Sequence, residues 1–187
     1  MAGERKQQIL ETLAKMLESP KREKITTASL AAKLEVSEAA LYRHFANKAQ
    51  MFEGLISFIE ETTFGLINKI GTEETDGLRQ IQRTVNMLLA FAEKNPGMTR
   101  VLIGDALVNE DEKLQLRINK LYDRVEVTIK QSLRIAETQN GSKGDAEAQA
   151  NLIVCYIIGR WQQFAKSGFK RKPTEYAQQQ ITTLINY

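Results

Sequence analysis

The sequence predicts an all-α protein of about nine helices, and three observations lead to this prediction. Apolar side chains recur at the three- and four-residue spacing of one helical face along most of the 187 residues. The breaks between these stretches fall at proline, at glycine or at runs of polar residues. No segment alternates convincingly between apolar and polar residues, which argues against β-strands, and there is no glycine-rich phosphate loop.

The first two helices are expected before residue 35. Residues 4–18 carry their apolar side chains on one face, and Pro20 with the charged run 21–24 is expected to end this helix. Thr26 and Thr27 then offer N-cap hydroxyls to a short helix that continues through residue 34.

The third and fourth helices are expected to begin at capping residues. Ser37 can cap a helix over residues 38–45, where Glu38 is favourable beside the positive N-terminal end. Asn47, with Gln50 three residues later, forms an asparagine variant of the capping box. It is expected to open a long helix to about Ile70.

Five further helices are expected in the rest of the chain. They are separated by the polar stretch 71–77, by Asn95-Pro96-Gly97, by the loop 138–145 and by Pro173. Their expected ranges are 78–94, 98–107, 111–138, 146–167 and 174–186.

Composition excludes several classes of function. The single histidine, His44, and the single cysteine, Cys155, cannot form a His-rich or Cys-based metal site or an internal disulfide. No apolar run approaches the roughly 18 residues of a membrane span, and the N-terminus lacks the apolar core of a signal peptide. We therefore expect a soluble, cytoplasmic protein without cofactor or metal.

The positive charge of the chain is concentrated near its N-terminus. Residues 1–52 contain nine Lys and Arg residues and six acidic ones, whereas the remaining 135 residues contain 17 of each sign. The whole excess of +3 therefore lies in the first 52 residues, where a phosphate-binding surface would need it.

Residues 26–45 have the pattern of a helix-turn-helix. The segment Glu35-Val36-Ser37 predicts a tight turn between two short helices. Small side chains, at Ala31, Ala32, Ala39 and Ala40, are expected to line the helix crossing. Close packing lets the second helix project into a DNA major groove about 12 Å wide. This segment is therefore predicted to bind DNA.

The second helix of this unit divides into anchoring and outward-facing residues. Leu41 and Phe45 are expected to hold it to neighbouring helices, while hydroxyl, imidazole and guanidinium groups remain available to phosphates. Lys48 adds a cation beside the exposed N–H groups of the next helix. The predicted DNA-binding residues are Thr26, Thr27, Ser37, Glu38, Ala39, Ala40, Tyr42, Arg43, His44 and Lys48.

The string SEAALYRHFANKAQMFEGLI resembles the signature of the TetR family of regulators. The resemblance implies a three-helix DNA-binding head over residues 1–50, a long connecting fourth helix and a C-terminal helical body over residues 51–187. It also implies a homodimer, formed through a four-helix interface by the last two helices (about 146–186), that binds palindromic double-stranded DNA.

A narrower resemblance is to the nucleoid occlusion factors of Gram-negative bacteria. It is carried by KITTASLAAKLEVSEAALYRHF, MFEGLISFIEE and EKNPGMTRVLIGDAL, which extend beyond the generic signature. It implies a nucleoid-associated protein that binds chromosomal palindromes and inhibits assembly of the division protein FtsZ. Leu66 and Lys94 stand where those proteins carry arginine. The residues implied for FtsZ contact are Phe58, Leu66, Met87, Lys94 and Asn95, which could also be core or ordinary surface.

Two other functions compete with this one. The first is a ligand-responsive repressor, whose body would hold a small apolar effector in a pocket of several hundred Å³. The second is an enzyme, which one histidine, one cysteine and the lack of a nucleophile motif make the weakest of the three. Paired acidic residues such as Glu60-Glu61 point in different directions on a helix and are expected to be solvated.

Overall fold

The computed structural model describes residues 2–19, 24–141 and 144–185, and all the regular secondary structure in this part of the chain is helical. It contains nine α-helices and one 3₁₀ helix of three residues, with no strand. The helices are α1 (Ala2–Leu17), α2 (Thr27–Lys33), α3 (Glu38–Tyr42), α4 (Lys48–Glu73), α5 (Gly77–Lys94), α6 (Pro96–Leu102), α7 (Glu112–Asn140), α8 (Ala146–Lys166) and α9 (Ala177–Ile185), and the 3₁₀ helix spans Asp105–Leu107.

Helices α2 and α3 form a helix-turn-helix because both have side-chain caps and a tight turn between them. Thr26 and Ser29 form a reciprocal capping box at α2, each side chain bonded to the other's backbone N–H at 3.0 Å. The side chain of Ser37 accepts the Ala40 N–H at 3.3 Å at the start of α3. Leu30 and Leu41 are fully buried and anchor the two helices to the core.

The long helices of the body alternate in direction, so the body has two distinguishable ends. Lys48, at the start of α4, pairs with Glu110, just before α7. Lys166, at the end of α8, pairs with Asp105 at 2.5 Å. We call this the head end of the body. The opposite end joins α5 to α7, where the Gly77 N–H donates to the side chain of Gln139 at 3.0 Å.

Aromatic side chains pack in the centre of the body. Trp161 is buried, and its Nε1–H donates to the Leu88 carbonyl at 3.3 Å. Its ring lies 6.3 Å from that of Tyr122, whose hydroxyl donates to the Leu102 carbonyl. Burial raises the pKa of Tyr122 well above its ordinary value, because the phenolate would lose its hydration. These contacts connect α5, α6, α7 and α8.

The head docks directly on the body where α1 meets α6. A Cβ added at Gly97 would lie 1.9 Å from the carbonyl oxygen of Ala14 and 3.3 Å from the Cβ of Leu17. Only glycine allows the two backbones to approach so closely. The buried apolar side chains of head and body therefore form one continuous core.

The structure corrects several predicted boundaries. Helix α3 ends at Tyr42 and not at residue 45, because the N–H of His44 bonds to the Leu41 carbonyl and tightens the last turn. Helix α4 runs to Glu73, one turn beyond the last apolar residue, so the predicted linker 71–77 shrinks to three residues. Of the predicted stop at 20–24 only Lys24 is described, and the predicted end at 186 lies outside the described residues.

The predicted helix over residues 98–107 is in fact two shorter elements. Helix α6 begins at Pro96, because proline needs no N–H partner in the first turn of a helix. Gly104, at φ +76°, then turns the chain away from α6 and precedes the 3₁₀ helix. Of the predicted break at Asn95-Pro96-Gly97, only Asn95 lies outside a helix, between the end of α5 and the start of α6.

Candidate nucleic-acid interface

One face of α3 is open to solvent while the other is anchored in the core. Ser37, Glu38, Ala39 and Arg43 are exposed, and Tyr42 retains 46% of its accessible surface. Leu41, between them, is buried. Leu41 therefore holds α3 against the core, and the opposite face of α3 is free to contact another molecule.

Three of the predicted DNA-binding residues form a hydrogen-bonded chain between α2 and α3. The Thr27 hydroxyl donates to the Glu38 carboxylate at 2.6 Å, and the Tyr42 hydroxyl lies 3.4 Å from the Thr27 oxygen. These hydrogen bonds hold the Glu38 carboxylate back toward α2. They also place the Thr27 and Tyr42 hydroxyls at one edge of the open face, where each could donate to a phosphate oxygen in exchange for its present acceptor.

Thr26 and Ser37 serve as N-caps, as the sequence predicts. Each hydroxyl oxygen accepts a backbone N–H from the first turn of its helix. A hydroxyl that accepts through its oxygen can still donate its hydrogen, so capping and phosphate binding are compatible at these positions.

Lys48 occupies a more enclosed position than the sequence suggests. Its ammonium group pairs with the Glu110 carboxylate, and the two side chains retain only 20% and 11% of their exposure. The ammonium also lies 5.5 Å from the centre of the Phe52 ring. Because Glu110 is 62 residues away in the sequence, no local pattern could have indicated this partner.

The N-cap of α4 is formed by Asn47, in a variant of the predicted capping box. The Asn47 side chain accepts the Gln50 N–H at 2.9 Å, but the Gln50 side chain accepts the N–H of Ala46 at 2.8 Å. The turn between α3 and α4 is thereby fixed, with His44 half-buried beside it.

The four alanines that were predicted to line the helix crossing differ in their exposure. Ala31 is buried and Ala40 is half-buried, but Ala32 and Ala39 are exposed. Ala39 therefore lies on the open face of α3 and not at the crossing.

Lys6 is a cation near this face that sequence reasoning did not single out. Its ammonium lies 5.7 Å from the centre of the Phe45 ring, next to the turn between α3 and α4. The only sequence signal for it was the excess of positive charge in residues 1–52.

The residues implied for FtsZ contact lie along neighbouring faces of α4 and α5. Leu66 and Met87 line one groove of about 430 Å³ between these helices. Phe58 and Leu66 are exposed large apolar side chains, which keep 47% and 42% of their surface. They lie eight residues apart on α4, a rise of about 12 Å.

Lys94 and Asn95 lie where α5 ends. Because α4 and α5 are joined by a three-residue turn, the end of α5 lies at about the level of Phe58. Lys94 is exposed, whereas Asn95 is half-buried and donates to the Phe91 carbonyl at 2.7 Å. Asn95 thus ends α5, which is a structural role in addition to the implied one.

The described residues offer neither a cluster of metal ligands nor a membrane span. Among the described residues, no group of three or more His, Cys, Asp or Glu side chains could hold a metal ion. In the same part of the chain, no helix combines the length and the apolar character needed to cross a bilayer.

Comparison with protein families gives two matches that together cover most of the chain. Residues 22–55 match the model of bacterial regulatory proteins of the tetR family. Residues 75–187 match the SlmA-like model of the tetracyclin repressor-like C-terminal domain.

Curated relatives are similar over nearly the full length. The nucleoid occlusion factor SlmA of Alteromonas mediterranea is 53% identical over 178 residues, which are 94% of this chain and 91% of the relative. The SlmA of Shewanella halifaxensis is 49% identical, over 95% of this chain and 91% of its own. That of Marinomonas sp. is 47% identical, over 97% and 93%.

Solved structures share the fold at low sequence identity. A TetR transcription regulator from Haloarcula marismortui superposes with a TM-score of 0.81 at 16% identity, over 98% of this chain and 97% of its own. The TetR family regulator PfmR from Thermus thermophilus gives 0.79 at 20% identity, over 95% and 97%.

Proposed function

The chain belongs to the TetR family, as one of its SlmA-type nucleoid occlusion factors, and from this premise we propose that it binds palindromic chromosomal DNA as a homodimer and then inhibits FtsZ assembly. The observation that carries the DNA-binding part is the open face of α3, which is held in place by buried Leu41. The observation that supports the FtsZ part is the pair of exposed apolar side chains on α4, Phe58 and Leu66, beside the groove between α4 and α5.

In this proposal α3 enters the major groove and the surrounding hydroxyls and cations hold the phosphates. Ser37, Glu38 and Ala39 lie toward the base edges, because they are the exposed residues at the start of α3. Thr26 donates to phosphate oxygens from one side, and Thr27 and Tyr42 do so after exchanging their present acceptors for phosphate. Arg43 and His44 act from the end of the helix. Ala40 fills the space beside them.

Lys48 takes part only after its ammonium exchanges Glu110 for a phosphate. Its position in the first turn of α4 places the ammonium beside backbone N–H groups that point out of the helix. A phosphate there would be bound by a full charge together with the helix terminus.

Homodimerisation would place two heads on one duplex. One helical turn of DNA is about 34 Å long, and the two half-sites are expected to lie one turn or a whole number of turns apart. The proposed interface is formed by α8 and α9, within residues 146–186. Because the chromosome is the proposed ligand, we also propose a cytoplasmic, nucleoid-associated location.

The proposed FtsZ surface consists of Phe58, Leu66, Met87, Lys94 and Asn95. Phe58 and Leu66 are exposed apolar side chains about 12 Å apart on α4, and Leu66 also lines the groove, so both offer anchors for an apolar segment of a partner. Lys94 adds a charge at the head end of this surface.

Sedimentation of FtsZ polymers in the presence of GTP tests the proposal. The chain is expected to reduce the sedimented fraction, and more strongly with operator DNA than with random DNA of equal length. Phe58→Ser is expected to abolish the effect while operator affinity stays unchanged, and Leu116→Ser, which changes another exposed apolar side chain on α7, serves as control. An effect that is independent of DNA, or no effect, would remove FtsZ inhibition from the proposal.

Chromatin mapping tests the location. Sites scattered over the chromosome but absent near the replication terminus would fit nucleoid occlusion. A single site beside one promoter would instead favour a local repressor.

A ligand-responsive repressor remains the second candidate, since a cleft of about 410 Å³ lies between α4, α5 and α7 at the end away from the head. Its buried polar groups are already bonded within the chain: Ser132 donates to Gln80 at 2.8 Å, and Gln80 donates to the Glu74 carbonyl at 2.6 Å. Loss of operator binding upon addition of a small molecule would support this candidate.

A further inference from the structure

The loop between α8 and α9 presents three consecutive cations at the head end of the body. Lys170, Arg171 and Lys172 are all exposed, and we call residues 170–172 the basic loop. Within the described residues, neither Lys170 nor Arg171 has an acidic partner in ion-pair range. Exposed cations on a mobile loop contribute little to binding, so the anchoring of the backbone decides what this loop can do.

One half-buried guanidinium group fixes the C-terminal side of the basic loop. Arg160, on α8, donates to three main-chain carbonyls at 2.8–3.2 Å, those of Lys172, Pro173 and Glu175. A planar guanidinium that satisfies three carbonyls at once leaves the segment little freedom.

The N-terminal side of the basic loop is fixed as firmly. The Ser167 hydroxyl oxygen accepts the N–H groups of Lys170 at 3.2 Å and Arg171 at 2.9 Å. Phe169 packs edge-on against Phe164, with ring centres 5.1 Å apart, and holds this geometry although its φ is +65°. The backbone of the loop is thus ordered before any partner binds, which lowers the entropic cost of binding.

The basic loop adjoins the proposed FtsZ surface through Glu93. The Glu93 carboxylate lies 3.6 Å from the Lys172 ammonium and accepts the Thr174 hydroxyl at 2.5 Å. Lys94 and Asn95 follow directly in the chain. The basic loop therefore lies close to the residues that end α5.

We propose that the basic loop docks an acidic segment of the protein partner whose apolar segment binds along α4 and α5. This inference rests on the proposed function and deepens it. Charge complementarity selects the acidic character of the segment. The packing of the loop favours a protein over DNA, because α8 and α9 pack on α5, α6 and α7, whereas α2 and α3 pack on each other and on α1.

Paired charge-removal variants of the operator-bound dimer test the inference. Lys170→Ser with Arg171→Ser removes two cations from the loop and keeps both backbone N–H groups. Lys113→Ser with Lys120→Ser removes two exposed cations from α7 and is the matched control. The probes are purified FtsZ and a fluorescent peptide made only of glutamate.

The loop variant is expected to bind both probes about tenfold more weakly at low salt, and the difference should vanish at high salt, where charges are screened. The control should change less than about twofold, and operator affinity should be unchanged in both. Equal losses in both variants would overturn the inference, as would unchanged probe binding, or a loss of operator affinity alone, which would assign the loop to DNA.

The two probes separate this inference from the proposed function. If the wild-type chain binds the glutamate peptide through the loop but does not bind FtsZ, then FtsZ is the wrong partner and the acidic-docking role of the loop stands. If FtsZ binds equally well to all variants, the proposed function stands and the inference falls.

Discussion

Glu35 has a left-handed backbone conformation, at φ +56°, in the turn between α2 and α3. The turn needs this conformation so that α3 can cross α2, but a Cβ there costs about 1–2 kcal/mol. Its side chain is exposed and provides no compensating contact that we observe among the described residues.

Glu35→Gly is therefore expected to raise the free energy of unfolding by about 0.5–1 kcal/mol, since the relief of strain exceeds the added freedom of the unfolded chain. Urea unfolding followed by circular dichroism measures the change. Glu35→Ala keeps the Cβ and should give no such gain. A gain from alanine equal to that from glycine would show that the charge of Glu35, and not its conformation, is unfavourable.

Tyr122 gives a prediction about pH. Its pKa is raised by burial, so above about pH 10 the unfolded chain loses the phenolic proton while the folded chain keeps it. The free energy of unfolding should therefore fall more steeply in this alkaline range in the wild type than in Tyr122→Phe. At neutral pH the variant should be about 1–2 kcal/mol less stable, because the Leu102 carbonyl loses its donor.

Unfolding by urea at neutral pH, near pH 9 and near pH 11 would measure this convergence. Tyr42→Phe, which changes an exposed tyrosine, is the control and should follow the wild type at each pH. A gap between wild type and Tyr122→Phe that stays constant over the whole range would contradict the role of burial.

At this scale, the sequence predicts what is decided locally. The caps at Thr26, Ser37 and Asn47 were predictable because each depends on residues within one helical turn. The Glu110 partner of Lys48 and the anchoring of the basic loop by Arg160 depend on tertiary contacts, so no spacing in the sequence could indicate them.

Helix α4 connects the DNA-facing head to the body, and its first residue contributes to both. The ion pair of Lys48 with Glu110 keeps the ammonium away from solvent in the free protein. In the proposed complex this pair breaks before Lys48 contacts a phosphate, so the segment preceding α7 would compete with DNA for the ammonium.

Glu110→Gln is expected to tighten operator binding about fivefold, the equivalent of about 1 kcal/mol for a partly buried ion pair. Fluorescence anisotropy with operator DNA at several salt concentrations measures the affinity. Glu112→Gln makes the same change of charge at an exposed position two residues away. An equal effect of both variants would attribute the gain to net charge and not to release of Lys48.

The existence and type of the helices were predictable, but several of their ends were not. The apolar period of α4 stops at Ile70, yet the helix continues to Glu73, where Lys69 and Arg83 pair with the carboxylate. Helix α6 begins at Pro96, where the sequence indicated a stop. In both cases, contacts with neighbouring elements or the chemistry of the first helical turn decided the boundary.

The whole molecule, as a single chain, leaves an apolar face of α8 open. Leu152 keeps 53% of its surface, and Cys155 and Gly159 are exposed on the same face at intervals of three and four residues. Small residues on such a face allow a second helix to approach closely. This face is where the proposed homodimer would bury apolar surface.

Leu152→Glu is expected to convert the dimer to a monomer, because two carboxylates would face each other across a two-fold axis. Sedimentation velocity measures the mass, and affinity for a full palindrome should fall by at least about tenfold, since only one head binds. Leu116→Glu, on α7 near the head end, should remain dimeric. A dimeric Leu152→Glu protein would place the interface elsewhere.

The close contact of Gly97 with Ala14 limits which changes in genomic DNA leave a binding site intact. If neither head can swivel on its body, the separation of the two heads in a dimer is constant. One base pair added between half-sites would displace one of them by about 3.4 Å and rotate it by about 34° around the duplex axis. Mutation can therefore create or erase binding sites gradually through changes of base identity, but insertions and deletions in the spacer should eliminate a site in one step.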